Sequence, residues 1–284
     1  PTRAAEQRFC TVFSSLFESC LQQVCQRIPW HHPEKIQEWM ADHLCERLSP
    51  LIAPPAVGLM SGKSRSGELN GSDGCERFEF FLAQWSREDQ ALSYFSEHPE
   101  FSATVSKMVF EYSTFLVELL ERLHHDGAPL GVPYDGQKGA LSPTRIELKG
   151  DIHCQGRCVA VVEWGKGHLR WVYKPRHPGS ERAFDALLAW YEADAPHQHY
   201  PMRRVLGENY GWHAYCQALP CDSIKEVEAF YWRMGHLTAL LYLLMARDIH
   251  AENIIAVGAY PALIDLEVLL PPKVAEHYRH HYGK

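Results

Sequence analysis

No apolar run approaches the roughly 20 residues that a helix needs to cross a bilayer. No basic stretch followed by an apolar one reads as a secretion signal, so a cytoplasmic protein without membrane insertion is expected. Net positive charge is also lacking: 28 Lys and Arg stand against 35 Asp and Glu, a formal charge of −7. Both signs are mixed along the chain, which argues against a protein dominated by nucleic-acid phosphate contacts and leaves only a local basic groove open. What cysteine lacks is order. There are nine, an odd number, and several lie on the apolar faces of predicted helices, as free thiols do in a reducing compartment. Cys154 and Cys158 beside His153 form a single CxxxC with no second close pair, too little for a zinc site.

What remains is a globular composition, 284 residues with 46% hydrophobic and 22% charged side chains, enough for one large domain or two ordinary ones. The first 125 residues read as helices. Phe9, Phe13, Leu16 and Phe17 recur at helical spacing, as do Ile36, Met40, Leu44 and Leu48 after Pro33, a favoured helix start. Gly58–Gly74, rich in Gly and Ser, predicts a flexible loop. Further helices are predicted through Phe78–Trp85 and Val105–Leu123.

Near Leu141 the pattern changes. Arg145–Lys149, Cys158–Trp164 and His168–Lys174 are β-rich, the last two joined across Gly165-Lys166-Gly167 as a hairpin. A helix with Ser180 as its N-cap follows, then extended segments at 205–206 and 210–217. A long helix from Val227 carries Phe230, Tyr231, Met234, Leu237 and Leu241 as one apolar face, and a last hairpin turns at Gly258–Pro261. This order is that of a kinase-like α+β fold. The expected domains are a helical region 1–140, a kinase-like N-lobe 141–220, and the start of a C-lobe 221–284.

The densest polar cluster, Asp248-Ile249-His250-Ala251-Glu252-Asn253, follows the long helix, and Asp265 stands twelve residues beyond Asn253. Phosphoryl transfer needs a carboxylate near the attacking hydroxyl and oxygen ligands holding Mg²⁺ against the phosphates. Asp248 with Asn253 supplies both, and Asp265 completes the metal pair. The order D-x-H-x-x-N then I-D resembles lipid-type kinases more than the H-R-D order of most protein kinases. Lys174, ending a strand, is placed to neutralise the α- and β-phosphates of ATP. Asp151 and His153 occupy the position of a phosphate-covering loop, where a carboxylate would repel phosphate; they point to proton transfer instead.

G-D-x-H-x-x-G-R-x-V (150–159), Y-K-P-R (173–176), Y-G-W (210–212), D-x-H-x-E-N (248–253) and P-x-L-I-D-L-E (261–267) occur in that order. Together they resemble the dehydratase domain of class II lanthipeptide synthetases, firmly over 141–270. The resemblance implies that ATP phosphorylates Ser or Thr of a precursor peptide carrying a leader segment, and that phosphate is then eliminated. It implies Lys174 on the nucleotide phosphates and Asp248 with His250 at the transferring group. Asn253 and Asp265 would hold Mg²⁺, Glu267 would support them in cofactor binding, and Asp151 with His153 would serve elimination. Against the pattern of that family, Gln155 stands where a glycine is common, His213-Ala214-Tyr215 lacks the acidic residue often seen after Trp212, and Val268 replaces a common threonine. Only 17 residues follow Glu267, so a fragment is expected, completed by a downstream part of the same protein or by a partner chain. A kinase without elimination, acting on a peptide, lipid or small molecule, is an open alternative. So is a non-catalytic module that grips a leader peptide.

Overall fold

The computed structural model describes residues 8–10, 22, 24, 33–135, 139–140, 142–165, 169–193 and 199–271. The fold is α+β, and the chain divides into two compact units, Pro1–Leu169 and Arg170–Lys284. Among the described residues, no helix is long and apolar enough to cross a membrane. Phe13, Leu16, Phe17 and the glycine turn at 166–167 lie outside the described residues.

In the first unit α1 spans Pro33–Arg65, α2 Gly74–Trp85, α3 Glu88–Glu97, α4 Pro99–His125 and the single turn α5 Gly127–Leu130. Helix α1 buries Ile36, Met40, Leu44, Leu48 and Ile52, a four-residue spacing that keeps one stripe inward. It continues past Pro50, Pro54 and Pro55, so the predicted loop Gly58–Gly74 shrinks to residues 66–73. Lys63 and Arg65 in the last turn favour that continuation by meeting the negative helix end. Asp73 starts α2 by accepting the Glu76 N–H at 2.8 Å, and the Glu76 carboxylate accepts the Ser72 N–H at 2.7 Å. Helix α4 buries eight residues from Val105 to Leu123. The Tyr112 hydroxyl donates to the Met40 carbonyl at 3.0 Å, tying α4 to α1.

Short strands β1 (Tyr134–Asp135) and β2 (Gly139–Ala140) lead to β3 (Arg145–Lys149) and β4 (Val159–Trp164). The last two pair antiparallel from Arg145↔Glu163 to Lys149↔Val159, with Ala160, Val162 and Trp164 facing inward. The connection carrying Asp151 and His153 is pinned at its far side. Arg157 meets Glu118 of α4 with two hydrogen bonds, 3.0 Å and 2.5 Å. Arg47 of α1 donates to the Gly156 carbonyl at 2.9 Å and lies 5.0 Å from the Tyr112 ring centre.

In the second unit β5 (Leu169–Lys174), β6 (Arg204–Leu206) and β7 (Gly211–Ala214) form antiparallel pairs in the order β5-β7-β6. Helix α6 spans Gly179–Tyr191, helix α7 Ile224–Leu243, and β8 (Ile254–Val257) with β9 (Tyr260–Leu263) forms the last hairpin. Phe184, Leu237, Leu241, Leu263 and Leu266 make the core that joins both helices to this hairpin. Ser180 lies inside α6 rather than capping it, and its hydroxyl donates instead to the Glu267 carbonyl at 3.4 Å. Of the apolar face predicted on α7, Leu237 and Leu241 are buried, whereas Tyr231 stands out in solvent beside Trp232.

Two glycines separate backbone strain from crowding. Gly150 (φ 70°) and Gly156 (φ 72°) both take left-handed backbone, yet a methyl group meets nothing at Gly150 and lies 3.1 Å from Glu111 Cβ at Gly156. Gly150→Ala should cost about 1 kcal/mol, the left-handed penalty alone. Gly156→Ala should cost roughly twice that or more in chemical denaturation, as overpacking adds to it. Equal losses would mean that the loop does not press on α4.

Candidate active site

Strand β5 pairs Lys174 with Gly211 at the end of β7, so the lysine leaves the sheet where the chain turns toward α6. Its ammonium donates to the Asp265 carboxylate (Oδ1, 2.6 Å) and to the Ile264 carbonyl (2.8 Å). Asp265 is delivered by the hairpin β8–β9, whose register sets Ile254 opposite Leu263. Just beyond it the Ile264 N–H donates to the Asn253 carbonyl at 2.9 Å. Asn253 and Asp265 therefore reach the same hairpin end from opposite strands.

The loop 248–253 is shaped by its own polar groups. Asp248 adopts left-handed backbone (φ 62°), which Asp tolerates better than most residues. Its carbonyl accepts the Asn253 side-chain N–H at 2.7 Å. That bond uses the amide nitrogen of Asn253 and leaves its oxygen as an acceptor. His250 is half-exposed, 3.8 Å from Asp248 and 4.0 Å from Glu252, separations too long for hydrogen bonds. Asp248 is more open still, so both side chains are accessible to a reactant.

Electrostatics set the charge states. Burial pulls the Lys174 ammonium below its ordinary value, and the attraction of Asp265 only partly restores it. Burial pushes the Asp265 carboxyl up, but Lys174 and then Arg176 outweigh it, leaving the group below its ordinary value. The two partners differ because Lys174 and Arg176 together outweigh burial at Asp265, whereas at Lys174 burial and the repulsion of Arg176 outweigh the attraction of Asp265 and Glu181. Asp265 is thus an anionic oxygen donor. With the free Asn253 oxygen it fits Mg²⁺, which takes one or two protein oxygens and completes its shell with water and phosphate. Among the described residues, no group of three or more His, Cys, Asp or Glu is placed to hold a metal.

Arg176 and Glu181 enlarge the site beyond the residues singled out from sequence. Arg176 donates to Asp265 and to Glu181 of α6, each at 2.6 Å, and lies 3.9 Å from Glu267. Glu181 is 1% exposed. A charged residue two positions into a helix reads as surface, and only its burial shows otherwise; Arg176 was visible as the last residue of Y-K-P-R. His213 is a second omission. It is paired with Arg204 across β6–β7 and shares the Lys174 face of the strands by alternation. Burial, then the cations Lys174, Arg204 and Arg176, push its pKa down to about 2, so it is neutral. Asp151 and His153 belong to the other unit, both exposed on the loop between β3 and β4.

Residues 98–282 match the model of a family described as Domain of unknown function (DUF4135). The chain belongs to that family. It is also 22% identical over 238 residues to the Lacticin 481/lactococcin biosynthesis protein LcnDR2 of Lactococcus lactis subsp. lactis. The alignment covers 80% of this chain and 25% of the relative, so the chain spans about a quarter of that relative's length.

Asp265→Asn should remove the charge that pairs Lys174 and Arg176, costing about 2 kcal/mol, below the usual loss for a broken buried pair because Asp265 is partly exposed. A carboxyl lowered in the folded state adds stability above its unfolded value, near 3.8, and loses it as pH falls through the folded value. The stability gap between the natural protein and Asp265→Asn, followed by urea denaturation, should be flat above about pH 5 and shrink below the unfolded value. A gap that widens in acid would contradict this assignment.

Proposed function

We propose that this chain is the ATP- and Mg²⁺-dependent catalytic core of a peptide dehydratase of lanthipeptide biosynthesis, with a kinase-like arrangement in its second unit. The observation that carries the reading is the contact of Lys174 with Asp265, beside Asn253. A strand-end lysine contacts a hairpin-end aspartate, and the loop asparagine is tied to the same hairpin end through its backbone carbonyl, an arrangement suited to binding metal and nucleotide phosphates. The biosynthetic role in the relative's name and the five ordered motifs support a peptide substrate.

In the first step the Ser or Thr oxygen of the precursor attacks the γ-phosphorus. The new O–P bond forms as the bond to ADP breaks, and Asp248 takes the hydroxyl proton. Lys174 holds the nucleotide phosphates and His250 faces the transferring group. Asn253 and Asp265 would hold Mg²⁺, supported by Glu267, and the ion supplies charge neutralisation at the phosphates. In the second step a base removes the Cα proton, the Cβ–O bond breaks and phosphate leaves, for a net loss of water. Asp151 and His153 are assigned to this elimination by their motif.

The test uses the full-length or reconstituted enzyme that contains this chain, with ATP, Mg²⁺ and a precursor peptide with its leader, read by mass spectrometry. Loss of one water per modified residue is expected from the natural sequence. Asp248→Ala should leave the peptide unmodified, and Asp151→Ala should accumulate phosphopeptide. Stable phosphopeptide from the natural sequence would remove the elimination half, leaving a kinase.

A further inference from the structure

Asp265 Oδ1 is crowded. It accepts from Lys174 and Arg176, both at 2.6 Å, and from the Leu266 N–H at 3.1 Å. The same Arg176 nitrogen also donates to Glu181 Oε1. The second Glu181 oxygen, Oε2, is buried with no hydrogen-bond partner. A buried carboxylate oxygen without a donor is unfavourable, and this one belongs to a residue already paired with an arginine whose planar fork can engage two oxygens at once. Lys174 and Arg176 face three carboxylates, Asp265, Glu181 and the more distant Glu267. The cluster is therefore short of positive charge, and the arginine sits on the carboxylate that a cation would need.

We propose that Arg176 is the displaceable counter-cation of the metal site. It holds Asp265 in the metal-free protein and moves to a two-pronged pairing with Glu181 when a divalent cation binds Asp265. The inference rests on the metal role proposed for Asp265. Glu181 Oε2 is the receiving atom, and the chain needs no large motion because Arg176 already touches both carboxylates.

Binding of Mn²⁺ without nucleotide, followed by the electron paramagnetic resonance of the free ion, tests it. Arg176→Gln removes the competitor and should tighten Mn²⁺ binding by roughly tenfold. Glu181→Gln removes the receiver and should weaken it by a similar factor. The double variant should bind no more weakly than the natural protein. A merely structural role for the pair would weaken binding in all three. If Asp265→Asn loses Mn²⁺ and Arg176→Gln does not tighten it, the metal site stands and the displacement is wrong. If Asp265→Asn binds Mn²⁺ like the natural protein, the metal assignment falls and the proposal with it. Should Arg176→Gln fail to fold, the natural protein still decides. Its Arg176 Nε–H resonance, assigned by its loss in Arg176→Lys, should move on addition of Mg²⁺, and a stationary resonance overturns the displacement.

Discussion

The 2.6 Å contact between Lys174 and Asp265 spans 91 positions of sequence and organises the second unit. A lysine side chain that is 10% exposed cannot keep its charge without an acceptor. The elements around it answer that demand: β7 fixes where β5 ends, and β8–β9 fixes where Asp265 stands. The Ile264 carbonyl takes a second ammonium proton. Beneath them, Phe184, Leu237, Leu241, Leu263 and Leu266 bind α6, α7 and the hairpin into one apolar block. The charged pair is thus backed by the packing of the elements that carry it.

The neighbours of the pair set what it can do. Lys174 and then Arg176 keep Asp265 anionic, while the neutral His213 adds no further positive charge to a face that already carries Lys174 and Arg204. Both ring nitrogens of His213 are buried without hydrogen-bond partners, so the site combines strong charge pairs with a polar group left unsatisfied. In the first unit the constraint differs: the connection carrying Asp151 and His153 is anchored through Arg157 and Arg47 while its tip stays open.

Much of this was legible in the sequence because burial leaves a period. Ile36, Met40, Leu44 and Leu48 announced α1, Val105 to Leu123 announced α4, and Lys174, Asn253 and Asp265 stood out by residue type and order. Contact-driven features were not legible. The extension of α1 through Pro54, Pro55, Gly58 and Gly62 runs against local propensity. The Ser180 hydroxyl has a helix-capping chemistry but is drawn to the Glu267 carbonyl, a partner 87 positions away. Glu181 gives no signal at all, since a buried acid and a surface acid look alike until the Arg176 partner is in place. Gln155 takes a left-handed backbone (φ 61°), a conformation that the anchored loop imposes on it.

Whether Lys174 and Asp265 form the proposed metal-dependent nucleotide site can be read from a calorimetric titration of the protein with ATP. Binding should require Mg²⁺, disappear on chelation, and be lost in Lys174→Met while the variant still melts cooperatively. Nucleotide binding that persists unchanged without Mg²⁺ and in Lys174→Met, or no binding by the natural protein, would contradict it.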